Sequence, residues 1–209
     1  MTYRTAPEII SFPVGLLDVN CYLVYPKENG ILYIIDPGGS AEKILKQVER
    51  FQASSYQVML THAHVDHISA LGELNKALNF GKVYLHPDDK PLYLSPANAL
   101  LPLMPAAKNL PETAWPPPEN DDFKVIETPG HTFGGVCYYF PALNGVVTGD
   151  TLFAGSVGRT DLPGSGEHDQ LIASIRDFLL PLPETTRVFP GHGEETTIQI
   201  EKQFNHFLM

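Results

Sequence analysis

Cysteine, tryptophan and long apolar runs are all scarce in this sequence of 209 residues. It contains 2 cysteines and 1 tryptophan, and no run reaches the roughly 18 apolar residues that a membrane-spanning helix needs. So few cysteines exclude a disulfide-stapled scaffold, and we expect Cys21 and Cys137 to be small buried hydrophobic residues. The first residues lack the charged and apolar regions of a signal peptide. We therefore expect a cytoplasmic protein with no membrane partner.

Positive charge is also in short supply. Lys and Arg number 14 against 24 Asp and Glu, which gives a formal net charge of -10, and the basic residues do not cluster. A basic surface for phosphate groups is therefore not expected, and neither is a nucleic-acid partner. The composition, 43% hydrophobic and 18% charged, supplies enough apolar material for a buried core and excludes a disordered chain.

Apolar periodicity divides the chain into two similar halves, each with strands followed by helices. The strand-like runs are 8–15, 20–26, 31–36, 56–60, 123–129, 135–140, 144–150 and 186–190. The helix-spaced segments are 41–51, 68–78, 169–182 and 196–208. A turn is predicted at 27–30, and Ser40 is the expected N-cap of the first helix. This order predicts one α/β (α+β) domain spanning 1–209, with two sheets packed together and helices outside.

One segment does not fit this alternation. Residues 87–120 hold nine of the 19 prolines and show no sustained periodicity. Proline resists regular structure, but the apolar residues between the prolines are sufficient to pack. We interpret this segment as a partly helical cover over a pocket.

Histidine carries the strongest functional signal. The motif at 61–67 reads Thr-His-Ala-His-Val-Asp-His and directly follows a strand-like run. His131, Asp150 and His192 each lie at or just after the end of another such run. A lone histidine at a strand end is usually a hydrogen-bonded or surface residue, but five histidines with two aspartates indicate a metal site.

The spacing within the motif predicts two adjacent metal ions. His62 and His64 are two apart and can face one way from an extended end, while Asp66 and His67 lie beyond a turn and can face a neighbouring point. Imidazole and carboxylate ligands suit zinc, iron or manganese rather than a calcium cage. We expect a pair of divalent transition-metal ions that share Asp150.

The motif His62-x-His64-x-Asp66-His67, followed in order by His131, Asp150 and His192, resembles the metallo-β-lactamase superfamily over nearly the whole chain. The resemblance implies an αββα sandwich and two metal ions, zinc first and iron or manganese as alternatives. The implied ligands of the first ion are His62, His64 and His131. Those of the second ion are Asp66, His67 and His192, with Asp150 bridging the two.

Three stretches, 129–135, 149–153 and 157–161, are similar to the glyoxalase II branch, the hydroxyacylglutathione hydrolases, and to its single-domain bacterial forms in particular. This resemblance implies that Arg159 grips a carboxylate of the substrate; a salt bridge with Asp161 is the alternative role. It also implies that Asp36 supports the 62–67 loop by hydrogen bonds, whereas a plain turn residue before Pro37 is the alternative.

The chain departs from full-length glyoxalase II after His192. Only one short helix is predicted there, whereas full-length members of that branch carry a C-terminal helical domain that contacts glutathione. The substrate pocket is therefore expected to be formed by 87–120, by the 154–168 loop and by the last helix.

The resulting functional prediction is a binuclear metallohydrolase that cleaves a small-molecule thioester of the hydroxyacyl-glutathione type through a metal-bridging hydroxide. Asp66 and Asp150 are the predicted catalytic residues, because Asp66 can orient the hydroxide or take a proton and Asp150 is shared by both ions. A thiolate leaving group needs little acid assistance, which favours a thioester or another activated ester.

Three alternatives stay open at this point. The first is a persulfide dioxygenase, which would hold a single iron on His62, His131 and Asp150. The second is a lactonase or other ester hydrolase of the same superfamily. The third is a metal-bearing module without turnover of its own, as in flavodiiron proteins. True lactamases generally lack an aspartate at the place of Asp150.

Overall fold

The first sheet is built from the apolar runs of the first half of the chain. The computed structural model describes residues 6–26, 30–100 and 102–209, so most of the turn predicted at 27–30 lies outside the described residues. The six strands lie in sequence order across the sheet. They are β1 (Glu8–Val14), β2 (Val19–Tyr25), β3 (Ile31–Ile35), β4 (Ser55–Met59), β5 (Lys82–Tyr84) and β6 (Glu112–Ala114). β1 to β3 pair antiparallel and β3 to β6 pair parallel.

The second sheet comes from the second half. Its strands are β7 (Lys124–Glu127), β8 (Val136–Phe140), β9 (Gly145–Gly149), β12 (Arg187–Pro190) and β13 (Thr196–Thr197). They lie in the order β13-β12-β9-β8-β7. Only the β9 and β12 pair is parallel, which brings the ends of these two strands together. A separate hairpin of β10 (Leu152–Phe153) and β11 (Ser156–Val157) follows β9.

Six α-helices accompany the sheets in the described ranges. They are α1 (Ala41–Val48), α2 (Val65–Ile68), α3 (Leu71–Leu78), α4 (Lys90–Leu94), α5 (His168–Ser174) and α6 (Ile198–Phe204). A π-helical turn, Ile175–Leu179, continues α5. None of these described helices is long and apolar enough to cross a membrane.

Side-chain alternation along the strands creates three apolar layers. On β2, Leu23 faces the helices α1 and α3 while its neighbour Val24 faces the second sheet. On β9, Val147 faces the first sheet and Val146 faces α5 and α6. Because successive residues of a strand point to opposite faces, each sheet buries both of its faces. The arrangement is a sandwich of two sheets between two layers of helices, as predicted.

Two local predictions hold in part. Ser40 occupies the N-cap position of α1, as predicted, but its side chain does not cap the helix: its backbone is left-handed, with φ 51°, and its hydroxyl accepts a hydrogen bond from the Gly15 N–H at 3.2 Å. The segment 87–120 contains the expected helical turns, but it also supplies β6, which the prolines around it concealed. Both Cys21 and Cys137 are buried and free, as predicted.

Candidate metal centre

Strand pairing brings the predicted ligands to one edge of the sandwich. The parallel pair β3 and β4 ends together, with Ile35 beside Met59, so that Asp36 lies next to the loop that begins at Thr61. The parallel pair β9 and β12 also ends together, with Gly149 beside Pro190. Asp150 directly follows the end of β9, and His192 follows the end of β12 after Gly191. All seven predicted ligands lie in the resulting cluster.

The first group of ligand atoms belongs to His62, His64 and His131, whose nearest donor atoms all lie within 4.8 Å of one another. His64 Nε2 is 3.0 Å from the carbonyl oxygen of Pro163, and His131 Nδ1 is 2.7 Å from that of Arg159. A carbonyl oxygen only accepts hydrogen bonds, so each of these nitrogens carries the proton. The other nitrogen of each ring then presents a lone pair to the centre of the group.

The second group is formed by Asp66, His67 and His192, again within 4.8 Å. His67 Nδ1 lies 3.0 Å from Asp36 Oδ2, and His192 Nδ1 lies 3.1 Å from the carbonyl oxygen of Leu17. On the inner side, His192 Nε2 is 3.2 Å from Asp66 Oδ2. The Nδ1 atoms of His67 and His192 are therefore held by oxygen acceptors, and their Nε2 atoms face the carboxylate of Asp66.

Asp150 lies between the two groups. Its Oδ1 is 3.4 Å from His67 Nε2, while its Oδ2 is 3.7 Å from His131 Nε2 and 3.8 Å from His192 Nε2. Gly191 leaves the space for this carboxylate, because a Cβ at that position would lie 2.1 Å from Asp150 Oδ1. Any larger residue at 191 would displace the side chain that joins the two groups.

Unpartnered buried atoms test whether these residues fit metal ions. Among the described residues, His62 Nε2, His67 Nε2 and Asp150 Oδ1 are buried without a hydrogen-bond partner. Leaving a buried polar atom unpaired costs about 1–3 kcal/mol. Three unpaired atoms in one cluster therefore indicate a binding partner that accepts their lone pairs, as a metal ion does. The donor set of imidazoles and carboxylates is the one that zinc, iron and manganese bind. The residues fit a metal-binding His/Asp cluster.

Proton affinities follow from burial and from neighbouring charge. Burial, with neighbouring imidazoles, holds the pKa of His62 well below its usual range and lowers the pKa of His64 to about 4. Burial alone would raise the pKa of Asp150, but the surrounding histidines outweigh it and hold the pKa well below normal. In His67, three carboxylates outweigh burial and raise the pKa. The first group therefore offers neutral imidazoles at neutral pH.

Asp36 organises the 61–67 loop from behind. Its Oδ1 accepts the Thr61 N–H at 2.8 Å, and its Oδ2 accepts the Thr61 hydroxyl at 2.6 Å. The same Oδ2 lies 3.0 Å from His67 Nδ1. Although Asp36, His62 and His67 also lie within 4.8 Å of one another, Asp36 Oδ2 is already occupied by these bonds. We therefore interpret Asp36 as a support of the ligands.

Asp89 is a buried carboxylate that the sequence patterns did not reveal. It lies in the proline-rich segment and contacts both the 61–67 loop and the loop that contains His131. Burial raises its pKa to about 6, against the hydrogen bonds that lower it. No spacing rule identifies such a residue, because its partners are remote in sequence.

The backbone and the side chain of Arg159 make different contacts. Its carbonyl oxygen orients His131, as described above, whereas its side chain is 63% exposed and forms a two-pronged ion pair with Asp161, at 2.6 and 2.7 Å. The structure thus shows the salt bridge that the sequence left open as an alternative. Binding of a substrate carboxylate by Arg159 stays a prediction.

Comparison with known protein families supports the assignment. The family model of the Metallo-beta-lactamase superfamily matches residues 14–192, a range that includes every residue of the cluster. The chain belongs to the metallo-beta-lactamase superfamily. Among named relatives of this superfamily member, the probable metallo-hydrolase YqgX of Bacillus subtilis is 36% identical, over 94% of this chain and 95% of the relative. Hydroxyacylglutathione hydrolase GloC of Haemophilus influenzae is 34% identical, over 94% and 95%.

Solved structures agree with this membership. The BLEG-1 B3 metallo-beta-lactamase is 37% identical and superposes with a TM-score of 0.85, over 97% of this chain and 100% of that chain. TTHA1623 in a di-iron-bound form is 39% identical, with a TM-score of 0.82 over 95% and 100%. ETHE1 from Myxococcus xanthus is 25% identical, with a TM-score of 0.69 over 95% and 83%. The superfamily member described here is a metallo-hydrolase with a metal-binding His/Asp cluster.

Proposed function

We propose that this metallo-hydrolase uses two divalent metal ions to hydrolyse small-molecule thioesters of the hydroxyacyl-glutathione type. Zinc is the proposed metal. The observation that carries the proposal is the position of Asp150, whose carboxylate lies 3.4–3.8 Å from ligand nitrogens of both groups. The similarity to GloC of Haemophilus influenzae supports the substrate class. The di-iron-bound form of TTHA1623 makes iron the alternative metal.

Each ion has its own set of ligands in this proposal. The first would be held by His62 Nε2, His64 Nδ1 and His131 Nε2, and the second by Asp66, His67 Nε2 and His192 Nε2, with Asp150 between them. Metal ions at such a site supply a water of lowered pKa and polarise a carbonyl oxygen. The protein supplies fixed ligand orientation, because the outer nitrogen of each histidine is held by an oxygen acceptor.

Asp66 is the proposed group for handling the proton of the attacking water. Burial raises its pKa, but the charges of His67 and His192 outweigh burial and lower it below the usual value. The carboxylate is therefore ionised at neutral pH, and its Oδ2 faces the cluster 3.2 Å from His192 Nε2. An ionised carboxylate at that place can orient a water and accept its proton.

A thioester fits this arrangement better than an amide. With metal ions bound, the inner nitrogens of the five histidines would be occupied as ligands, so the cluster would offer no imidazole proton to an amine leaving group. A thiolate is far less basic than an amine and leaves without that proton. In this proposal the Arg159 guanidinium, which is exposed beside the His131 loop, binds the remote carboxylate of the thioester once it exchanges Asp161 for the substrate.

β-Lactam hydrolysis is the second candidate, because the BLEG-1 B3 metallo-beta-lactamase superposes on this chain with a TM-score of 0.85.

The proposed function is tested by a parallel assay of the purified protein on several substrates, with the metal content measured in each preparation. The panel contains lactoylglutathione, a neutral thioester, a lactone, a β-lactam and a glutathione persulfide supplied with oxygen. We expect the highest kcat/KM on lactoylglutathione in the two-metal form. Preference for the β-lactam or lactone, or oxygen consumption with one iron per chain, would overturn the proposal.

A further inference from the structure

Asp89 is a buried carboxylate fully engaged with backbone and side-chain donors of the metal centre. Asp89 is 1% exposed and is the last residue of the 3₁₀ turn Pro87–Asp89. Its Oδ2 accepts the Ala63 N–H and the Thr132 hydroxyl, each at 2.9 Å, and its Oδ1 accepts the Gly134 N–H at 2.7 Å. Charge-assisted bonds of this length are stronger than neutral ones, so the carboxylate holds its donors firmly.

The three donors belong to the two loops that carry the first ligand group. Ala63 separates His62 from His64 in the chain, and Thr132 directly follows His131. Asp89 therefore ties together the two loops whose histidines must converge on one point. The ligands of the second group are held elsewhere: Asp36 contacts His67, and the Leu17 carbonyl contacts His192.

We propose that Asp89 is a positioning residue for the first ion site alone, and that it sets the metal affinity of His62, His64 and His131. The inference rests on the two-metal proposal above and adds that Asp89 acts on the first site alone. Asp36 differs from it, because Asp36 reaches both groups: it contacts His67 Nδ1 directly, and it accepts the Thr61 hydroxyl that contacts His62 Nδ1. It assigns to the proline-rich segment a role in assembling the centre.

Asp89→Asn is the central variant. The asparagine amide has nearly the same shape as the carboxylate, but an NH₂ group replaces one of the two acceptor oxygens. Because this NH₂ group cannot accept a hydrogen bond, at least one of the three donors around Asp89 loses its partner. Asp88→Asn is the matched control, because the adjacent Asp88 side chain is 67% exposed and, among the described residues, its ion-pair partner is His86 rather than a residue of the metal centre. Thr132→Val removes one bond to Asp89 without changing the carboxylate, while Thr132→Ser retains the hydroxyl.

The measurement is zinc binding to dialysed protein in competition with a chromophoric chelator, with folding checked by circular dichroism. Loss of a group that orients metal ligands typically weakens affinity by about 10–100-fold. We expect Asp89→Asn to weaken one of the two bound equivalents by that factor and to leave the other unchanged. Asp88→Asn and Thr132→Ser should match the wild type, and Thr132→Val should show a smaller loss.

Combination with ligand variants identifies the affected site. In a His131→Ala background, Asp89→Asn should change the remaining zinc affinity little, whereas in a His192→Ala background it should weaken that affinity as in the wild type. Equal weakening of both equivalents, or unchanged binding in folded Asp89→Asn, would overturn the inference. If Asp89→Asn does not fold, the contrast between Thr132→Val and Thr132→Ser decides.

The outcome is separable from that of the proposed function. Zinc binding needs no turnover, so selective weakening supports the role of Asp89 even if lactoylglutathione is not a substrate. Binding of a single zinc by the wild type would contradict the two-metal proposal. In that case, an unchanged affinity in Asp89→Asn would contradict the role of Asp89 as well.

Discussion

Arg159 and Asp161 form a two-pronged ion pair on the surface, with both oxygens of Asp161 within 2.7 Å of the Arg159 guanidinium. The pair is exposed, so water competes with it and Asp161 can be exchanged for another carboxylate. The same arginine holds His131 through its backbone carbonyl, which no side-chain substitution removes. Substitution of the Arg159 side chain therefore tests the proposed substrate contact without removing the backbone contact to His131.

Arg159→Ala should raise KM for an anionic thioester roughly 10-fold or more, with little change in kcat, because a remote carboxylate contact acts alike in the ground and transition states. KM for a neutral thioester should not change, and the metal content should stay that of the wild type. Asp161→Ala is the matched partner and should leave KM unchanged or lower it. Identical losses in both variants, on both substrates, would instead assign the pair a purely structural role.

Asp150→Ala should abolish hydrolysis and reduce the bound metal well below two ions per chain, because its carboxylate faces both ligand groups. Metal analysis after dialysis checks this prediction, with the exposed Asp177→Ala as the control. Retention of two tightly bound ions in Asp150→Ala would contradict the bridging assignment.

His192→Ala removes a ligand of the second group but leaves His62, His64 and His131 in place. Since the proposed hydrolysis needs both ions, we expect loss of thioester cleavage with about one ion retained. The assay uses the variant loaded with zinc and, separately, with iron under anaerobic conditions. A variant that keeps full activity with a single iron would favour the dioxygenase alternative.

The buried Cys137 thiol should make the protein less stable at alkaline pH. Burial raises the pKa of Cys137 from 9.0 to about 12. Above pH 9 the unfolded chain releases a proton that the folded chain keeps, so the free energy of unfolding falls as pH rises. This group accounts for about 1–2 kcal/mol of that loss near pH 10.5.

Urea unfolding near pH 8 and near pH 10.5 measures the effect, with Cys137→Ser as the comparison. The serine variant should lose less stability over this interval, because its hydroxyl does not ionise there. The native thiol should also resist alkylation until urea is added. Rapid alkylation of Cys137 in the native protein would show that the group is not protected by burial.

The ligands could be predicted from sequence because they lie in short motifs at the ends of apolar strand runs. The order of continuous apolar runs, such as 20–26, and helix-spaced segments, such as 41–51, also sufficed to predict two sheets with helices outside. These signals are local: a strand pattern needs only neighbouring residues, and ligand residues such as His62 and His64 are recognisable by type and spacing.

Apart from Asp36, whose support the family resemblance already implied, the tertiary structure decided what holds those ligands. The partners of the outer histidine nitrogens include backbone carbonyls of Leu17, Arg159 and Pro163, and every residue has a carbonyl, so no side-chain pattern marks them. Asp89 looks like any acidic turn residue until folding buries it between two loops. The sequence by itself determined which groups can bind metal. Packing of distant segments determined which nitrogen faces inward in four of the five rings, because the acceptor of the outer nitrogen comes from another part of the chain for His64, His67, His131 and His192.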